Sequence, residues 1–241
     1  LEAVKVSRDL LPRKGNSRML LDQGAIMLKL SAANIQKRDG KIDNSIELLR
    51  DAINGYEKLI KGQPQSFPYR LQAIQTYGTL ARTLINEKNF TEAAKTTTRL
   101  VELHDEMLRD FPVFRDARRS QWFHAQCAGA SLNHLNTLMN AKQFEEARKF
   151  APRLEDAVSL TGSNAYLVGC LNARLASHAS DDSQKEMEIA RAIEWLRKAE
   201  STGYPATPKD VEHIRTVDND LNILRSRPEF QEWAKGLKAK K

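Results

Sequence analysis

The sequence predicts an all-α protein built from stacked helical hairpins. Its 241 residues contain only 11 Gly and 8 Pro, whereas strong helix formers such as Ala, Leu, Lys and Glu are abundant. Hydrophobic residues make up 41% of the chain, which is enough to bury a core and excludes a disordered or collagen-like protein. Apolar residues also recur with a period near 3.6, and one pattern repeats along the chain.

The repeat places four copies of one hairpin turn along the chain. Three segments share the pattern: Gly40 to Ile46, Lys88 to Ala94, and Lys142 to Arg148. Ile42, Phe90 and Phe144 correspond in these copies, at steps of 48 and 54 residues. A fourth copy places Ile189 opposite Phe144. Each copy joins a helix A to a helix B, and a single hairpin cannot bury its apolar stripes without a stacked neighbour.

The predicted order is four hairpins followed by a helical cap. The hairpins span approximately 1–65, 66–113, 114–162 and 163–206, and the cap with a basic tail spans 207–241. Pro64 and Pro112 each end a helix B, because proline lacks the donor that continues a helix. In the cap, Thr207 precedes Pro208 as a helix N-cap, and a second helix begins near Pro228.

The hairpins resemble tetratricopeptide repeats. The large, Leu, small, large, aromatic, Ala pattern of that family matches Tyr77, Leu80, Ala81, Leu84, Phe90 and Ala93. Ala147, Ala151 and Leu154 match the second helix of the motif in the third hairpin. The resemblance implies a right-handed α-α superhelix that binds proteins and has no enzymatic activity. Because the period exceeds the usual ~34 residues, longer helices are expected.

Several segments resemble the C-terminal regions of planctomycete-type bacterial serine/threonine protein kinases. They are Arg109 to Arg115, Tyr166 to Ala173, Ala192 to Tyr204, His213 to Leu221 and Leu224 to Phe230. This resemblance implies a kinase domain upstream of Leu1, with the present region as its interaction arm. Because the chain begins at Leu1 without Met, we expect it to be part of a longer protein. The alternative is a stand-alone adaptor without a kinase.

The tetratricopeptide resemblance also implies which helix-A residues line a peptide-binding groove. These are Asn34, Arg38, Gln75, Arg82, Asn86, Asn136 and Asn140. Asn and Arg suit hydrogen bonding to a peptide main chain and recognition of a carboxylate. An equally supported interpretation is that Asn86 and Asn140 only end their helices. Gly129 and Asn133 stand where carboxylate-clamp members have basic residues, which disfavours a C-terminal carboxylate as the ligand.

No catalytic, cofactor-binding or metal site is predicted. The sequence lacks a Gly-rich phosphate loop with its lysine strand and an HRD loop, and Asp110-Phe111-Pro112 lacks the Gly of a DFG motif. His124, Cys127 and His134 lie on one side of a helix, but a zinc site needs about four ligands. We therefore interpret these three residues as packing between helices.

The distribution of charge makes nucleic acid a less favoured partner than protein. The net charge is +7 and the pI about 9.4, yet acidic and basic residues alternate along the chain. The candidate contacts are Arg109, Arg115, Arg118, Arg119, Trp122, Phe123, Lys235, Lys238, Lys240 and Lys241. Ion pairing with Asp110 and Asp116 is the simpler interpretation of the arginines. No membrane segment is predicted, and Cys127 and Cys170, which lack a disulfide pattern, favour a reducing compartment such as the cytoplasm.

Overall fold

The structure is a computed structural model that describes residues 15–116, 120–154 and 161–238. The predicted all-α class is confirmed, because the described residues form helices and turns and no strand. The chain divides into two compact units, Leu1–Pro112 and Val113–Lys241. No helix in the described part of the chain is both long and apolar enough to cross a membrane.

The described residues of unit 1 form two helical hairpins. Its helices are α1 (Gly15–Arg38), α2 (Ile42–Gly62), α3 (Phe67–Asn86) and α4 (Phe90–Asp110). Each helix packs against the next one along the chain. All four helices contribute to one buried core, which includes Ala33, Ile46, Leu49, Ile53, Leu80, Leu84 and Ala93. The hairpins of this unit therefore share their apolar stripes, as expected of stacked repeats.

Unit 2 contains two more hairpins and the cap. The hairpin helices are α5 (Gln121–Asn140), α6 (Phe144–Phe150), α7 (Gly162–Ala176) and α8 (Asp182–Ser201). The cap contains α9 (Pro208–Glu212), a π-helical turn (His213–Val217), a 3-10 helix (Asn219–Leu224) and α10 (Pro228–Gly236). The fully buried Phe123, Leu135, Leu196, Leu221 and Leu224 show that hairpins and cap each contribute to the interior of this unit.

The same turn closes three of the four hairpins. Gly40, Lys88 and Lys142 have positive φ angles of 76°, 57° and 59° at equivalent positions. In each turn the next residue donates its N–H to a carbonyl five residues earlier, as Asn89 does to Leu84 over 2.9 Å. This bond pattern is a Schellman helix end. Ile42, Phe90 and Phe144 each begin the following helix, as the repeat predicts.

The other predicted helix ends are also confirmed. α2 ends at Gly62 before Pro64, and α4 ends at Asp110 before Pro112. Thr207 forms a capping box with Asp210 at the start of α9. The two side chains exchange hydrogen bonds with each other's backbone N–H groups, so two donors at the helix start are satisfied.

The third helix B differs from the prediction. Ala147 lies in α6, but α6 ends at Phe150, and Ala151 and Leu154 lie in a 3-10 helix that follows directly. Pro152 explains the break, because it has no N–H to donate to the carbonyl of Arg148. All three predicted positions are nevertheless buried.

α7 and α8 approach closely at a glycine. A Cβ at Gly169 would lie 2.9 Å from two side-chain carbons of Leu196 and 3.3 Å from the carbonyl oxygen of Ala192. Real Cβ atoms essentially never show the shorter distance, so a larger residue at this position would force the Leu196 side chain to shift. The contact between the two helices is the most extensive in the unit.

Ala93→Leu is expected to destabilise unit 1. Ala93 is fully buried at the start of α4 and packs in the core with Leu80 and Leu84. The additional carbons of leucine have no space there, and overpacking of this kind costs about 1–3 kcal/mol. Thermal unfolding followed by circular dichroism should show a lower melting temperature than the wild type. An unchanged melting temperature would contradict the helix register described above.

Candidate functional site

Five of the seven predicted groove residues lie on two helices of unit 1. Asn34 and Arg38 are on α1, and Gln75, Arg82 and Asn86 are on α3; all five are exposed. We call these five residues the polar face of unit 1. α1 and α3 meet beside it, where the Nζ of Lys37 donates to the Oγ1 of Thr83 over 3.3 Å.

Helix geometry aligns the α3 members of this face. Gln75, Arg82 and Asn86 are separated by seven and four residues, which keeps them within about 40° of one another around the helix axis. Asn34 and Arg38 are four residues apart on α1 and also share one side. The polar face of unit 1 therefore presents two short rows of amide and guanidinium groups.

These five side chains make no hydrogen bond or ion pair with any residue that the structure describes. The charged side chains between α2 and α4 behave differently. Arg50 forms a bidentate pair with Glu92, with its shortest N–O distance at 2.6 Å, and Arg99 pairs with Glu57 at 2.9 Å. Burial alone would raise the pKa of Glu57, but hydrogen bonds from Arg99 and Tyr77 lower it overall. These charged side chains therefore form ion pairs between α2 and α4.

The other two predicted residues lie on unit 2 and share one partner. Arg174 on α7 donates to the Oδ1 atoms of Asn136 and Asn140 on α5, each over 2.9 Å. Its Nε also lies 3.7 Å from a carboxylate oxygen of Asp220. We call Asn136, Asn140 and Arg174 the polar face of unit 2. The two asparagine oxygens are occupied there, while their Nδ2 groups are free of described partners and can donate to a ligand.

Arg174 is the member of this face that the sequence did not indicate. It lies on the first helix of the fourth hairpin, the same kind of helix as the predicted residues, and that position is the signal that could have identified it. Asn86 and Asn140 are the last residues of α3 and α5, so their place at helix ends is confirmed. Asn140 also accepts a hydrogen bond from Arg174, so it does more than end its helix.

A buried polar cluster lies between α7 and the cap. Tyr166 donates its hydroxyl to the Oδ2 of Asp218 over 2.5 Å, and the thiol of Cys170 lies 3.6 Å from the same oxygen. His213 lies 3.4 Å from that oxygen as well. Burial raises the pKa of Tyr166 and of Cys170, and the Asp218 carboxylate raises both further. The thiol is therefore protonated at neutral pH and is a poor nucleophile, so the cluster is suited to holding the cap.

His124 and His134 contact other parts of the protein. The Nε2–H of His124 can donate to the carbonyl of Phe114 over 2.7 Å. His134 packs edge-on against Phe150, and burial together with Arg153 lowers its pKa to about 4. Within the described residues, no three His, Cys, Asp or Glu side chains are grouped so that they could hold a metal ion.

Several residues considered for nucleic acid have contacts within the protein. Arg109 pairs with the neighbouring Asp110 at 2.8 Å, and Trp122 packs edge-on against Phe123. Lys235 is on α10 and Lys238 follows that helix. Arg118, Arg119, Lys240 and Lys241 lie outside the described residues.

Comparison with known proteins gives no relative from which a role could be transferred. The chain matches no protein-family model and no curated protein sequence.

Proposed function

We propose that this chain is a non-catalytic scaffold for protein–protein interaction, built as a tetratricopeptide-like right-handed α-α superhelix. The recurring Schellman turn and the shared core of stacked hairpins support this architecture. Preformed helices give a rigid binding surface, so a ligand binds without ordering the scaffold. The resemblance of its C-terminal segments supports a place in a larger bacterial serine/threonine protein kinase, where the scaffold raises the local concentration of substrates or regulators.

The observation on which this proposal rests is the polar face of unit 1. Arg38 and Arg82 are exposed and form no ion pair with described residues, and three amide side chains accompany them. Amides bind main-chain groups of an extended peptide, and guanidinium groups bind carboxylates with two parallel hydrogen bonds. The ligand that fits this chemistry is a peptide segment with acidic side chains.

Peptides selected on the wild-type chain are expected to be rich in Asp and Glu and to depend on Arg82. A phage-displayed random peptide library supplies the probes, and fluorescence anisotropy of the selected peptides measures their dissociation constants. Arg82→Glu replaces a charge-assisted hydrogen bond by repulsion, so we expect affinity to fall at least about tenfold.

Lys58→Glu is the matched control, because it makes the same charge change at an exposed position of α2, outside the polar face. Circular dichroism establishes that both variants are folded. Equal affinity of the wild type and Arg82→Glu for every selected peptide would contradict a role for the polar face of unit 1. An equal loss in both variants would show that only the overall charge matters.

Two further measurements separate the alternatives. The coding sequence upstream of Leu1 distinguishes a kinase arm, which requires a Gly-rich loop, a lysine strand and an HRD loop there, from a stand-alone adaptor. Binding of nucleic acid through many phosphates would weaken steeply with salt, whereas a peptide bound by two arginines and amide hydrogen bonds should depend on salt less steeply.

A further inference from the structure

The cap of unit 2 contains a cleft of about 400 Å³ with a cationic lining. We call it the cationic cleft. Its lining residues are Arg215, Arg225, Phe230, Gln231, Ala234 and Lys235. Three of the six are cations and none is acidic. A volume of this size lies within the range of ~300–1,000 Å³ that is typical of small-ligand pockets.

The two arginines are held in place by backbone carbonyls. Arg215 donates its Nε to Ala234 over 2.8 Å and its Nη2 to Lys235 and Leu237 over 3.1 Å. Arg225 donates its Nη1 to the carbonyl of Arg215 and its Nη2 to that of Asp218. These bonds fix both guanidinium groups before any ligand arrives, which lowers the entropic cost of binding.

Donors remain after these contacts. The Nη1 of Arg215, one N–H of the Arg225 Nη2 and the whole ammonium group of Lys235 have no acceptor among the described residues. Carbonyl groups satisfy hydrogen bonds without cancelling charge, so three positive charges remain in one cleft.

The acidic residues of α10 form no ion pair with the cations of the cleft. Glu229 lies on the side of the helix away from Gln231 and Ala234, and Glu232, one turn before Lys235, makes no ion pair with it in the described part of the chain. The carboxylate of Asp218 accepts the Tyr166 hydroxyl and the backbone N–H of Asp220, and it is not paired with Arg215, Arg225 or Lys235 in the described structure. Among the described residues, the three cations make no ion pair.

We propose that the cationic cleft binds a phosphate monoester. A dianion with three acceptor oxygens balances the three charges better than a single carboxylate, and fixed arginine forks match the geometry of phosphate oxygens. The phosphate belongs either to a small free molecule or to a phosphorylated serine of a peptide. The cleft shares no residue with the polar face of unit 1, so it is independent of the function proposed above.

Isothermal titration calorimetry of the full chain tests this site. The probes are inorganic phosphate, a short phosphoserine peptide and the same peptide without phosphate, at constant ionic strength set with chloride. We expect saturable binding of the first two probes and none of the third. A phosphoserine peptide that binds at least tenfold more tightly than inorganic phosphate identifies a peptide as the source; similar affinities identify a free phosphate compound.

Lys235→Glu is the decisive variant, because Lys235 is exposed and its side chain makes no hydrogen bond or ion pair in the described structure. It is expected to weaken phosphate binding by at least about tenfold. Lys238→Glu, an exposed control outside the cleft, should change affinity less than about twofold. The absence of saturable phosphate binding, or an equal loss in the two variants, would overturn the proposal.

Discussion

Replacing Arg148 with methionine is expected to lower the free energy of unfolding of unit 2 by about 3–5 kcal/mol. Arg148 lies on α6 and pairs with Glu188 on α8 at 2.7 Å, where the Arg and Glu side chains are only 10% and 4% exposed. Arg148 also donates to the backbone carbonyls of Leu175 and His178. Removing the guanidinium leaves a buried carboxylate without its cation and two carbonyls without their donor.

The loss is expected to depend on pH. Burial raises the pKa of Glu188 in the folded wild type, and Arg148 acts in the opposite direction. Without Arg148 the folded-state pKa rises further above its unfolded value. As the pH falls through that raised pKa, the folded state takes up a proton before the unfolded state does, which favours folding. The stability difference between Arg148→Met and wild type should therefore be smaller at pH 5 than at pH 8.

Urea unfolding followed by tryptophan fluorescence measures this effect, because Trp122, Trp195 and Trp233 all belong to unit 2. Lys149→Met, at an exposed neighbouring position of α6, should cost less than about 0.5 kcal/mol. Adding Glu188→Gln to Arg148→Met should recover part of the loss, since no buried charge remains. The buried-ion-pair explanation would be contradicted if the double variant were as unstable as Arg148→Met and the loss of stability were the same at pH 5 and pH 8.

The helix order was predictable because its signals are local. Ile42, Phe90 and Phe144 each follow a short polar turn, and each begins a helix in the structure. The Thr207 capping box also consists of residues close in sequence. Pro152 was visible in the sequence too, but the tetratricopeptide pattern across Ala147, Ala151 and Leu154 favoured one continuous helix. The pattern thus identified buried positions correctly, although Ala151 and Leu154 lie in a 3-10 helix and not in a continuous α-helix.

The polar contacts between helices were less predictable, because they join residues that are distant in sequence. Arg174 reaches Asn136 across 38 residues, and Arg148 reaches Glu188 across 40. The cationic cleft combines a π-helical turn with α10, and no sequence period marks a π-helical turn. Exposure of the polar face of unit 1 followed from the resemblance, whereas its lack of internal partners is visible only in the structure.

Asp218→Ala is expected to detach the cap from α7 and to lower the free energy of unfolding of unit 2 by roughly 2–4 kcal/mol. The Asp218 carboxylate accepts the Tyr166 hydroxyl and, over 2.9 Å, the backbone N–H of Asp220 at the start of a 3-10 helix. Tyr166 is buried, so removal of the carboxylate leaves its hydroxyl without this acceptor. A buried donor without an acceptor costs more than the hydrogen bond itself contributes.

A double-mutant cycle separates this clamp from simple helix capping. Tyr166→Phe removes the hydroxyl and should destabilise the wild type, yet it should cost less in the Asp218→Ala background, where the hydroxyl has no acceptor. Asp220→Ala is the matched control. It removes only a 3.7 Å contact with Arg174 and should cost less than about 1 kcal/mol. Additive effects of Tyr166→Phe and Asp218→Ala would show that the two side chains do not act together, and the cap would then be held mainly by the buried Ile214, Leu221 and Leu224.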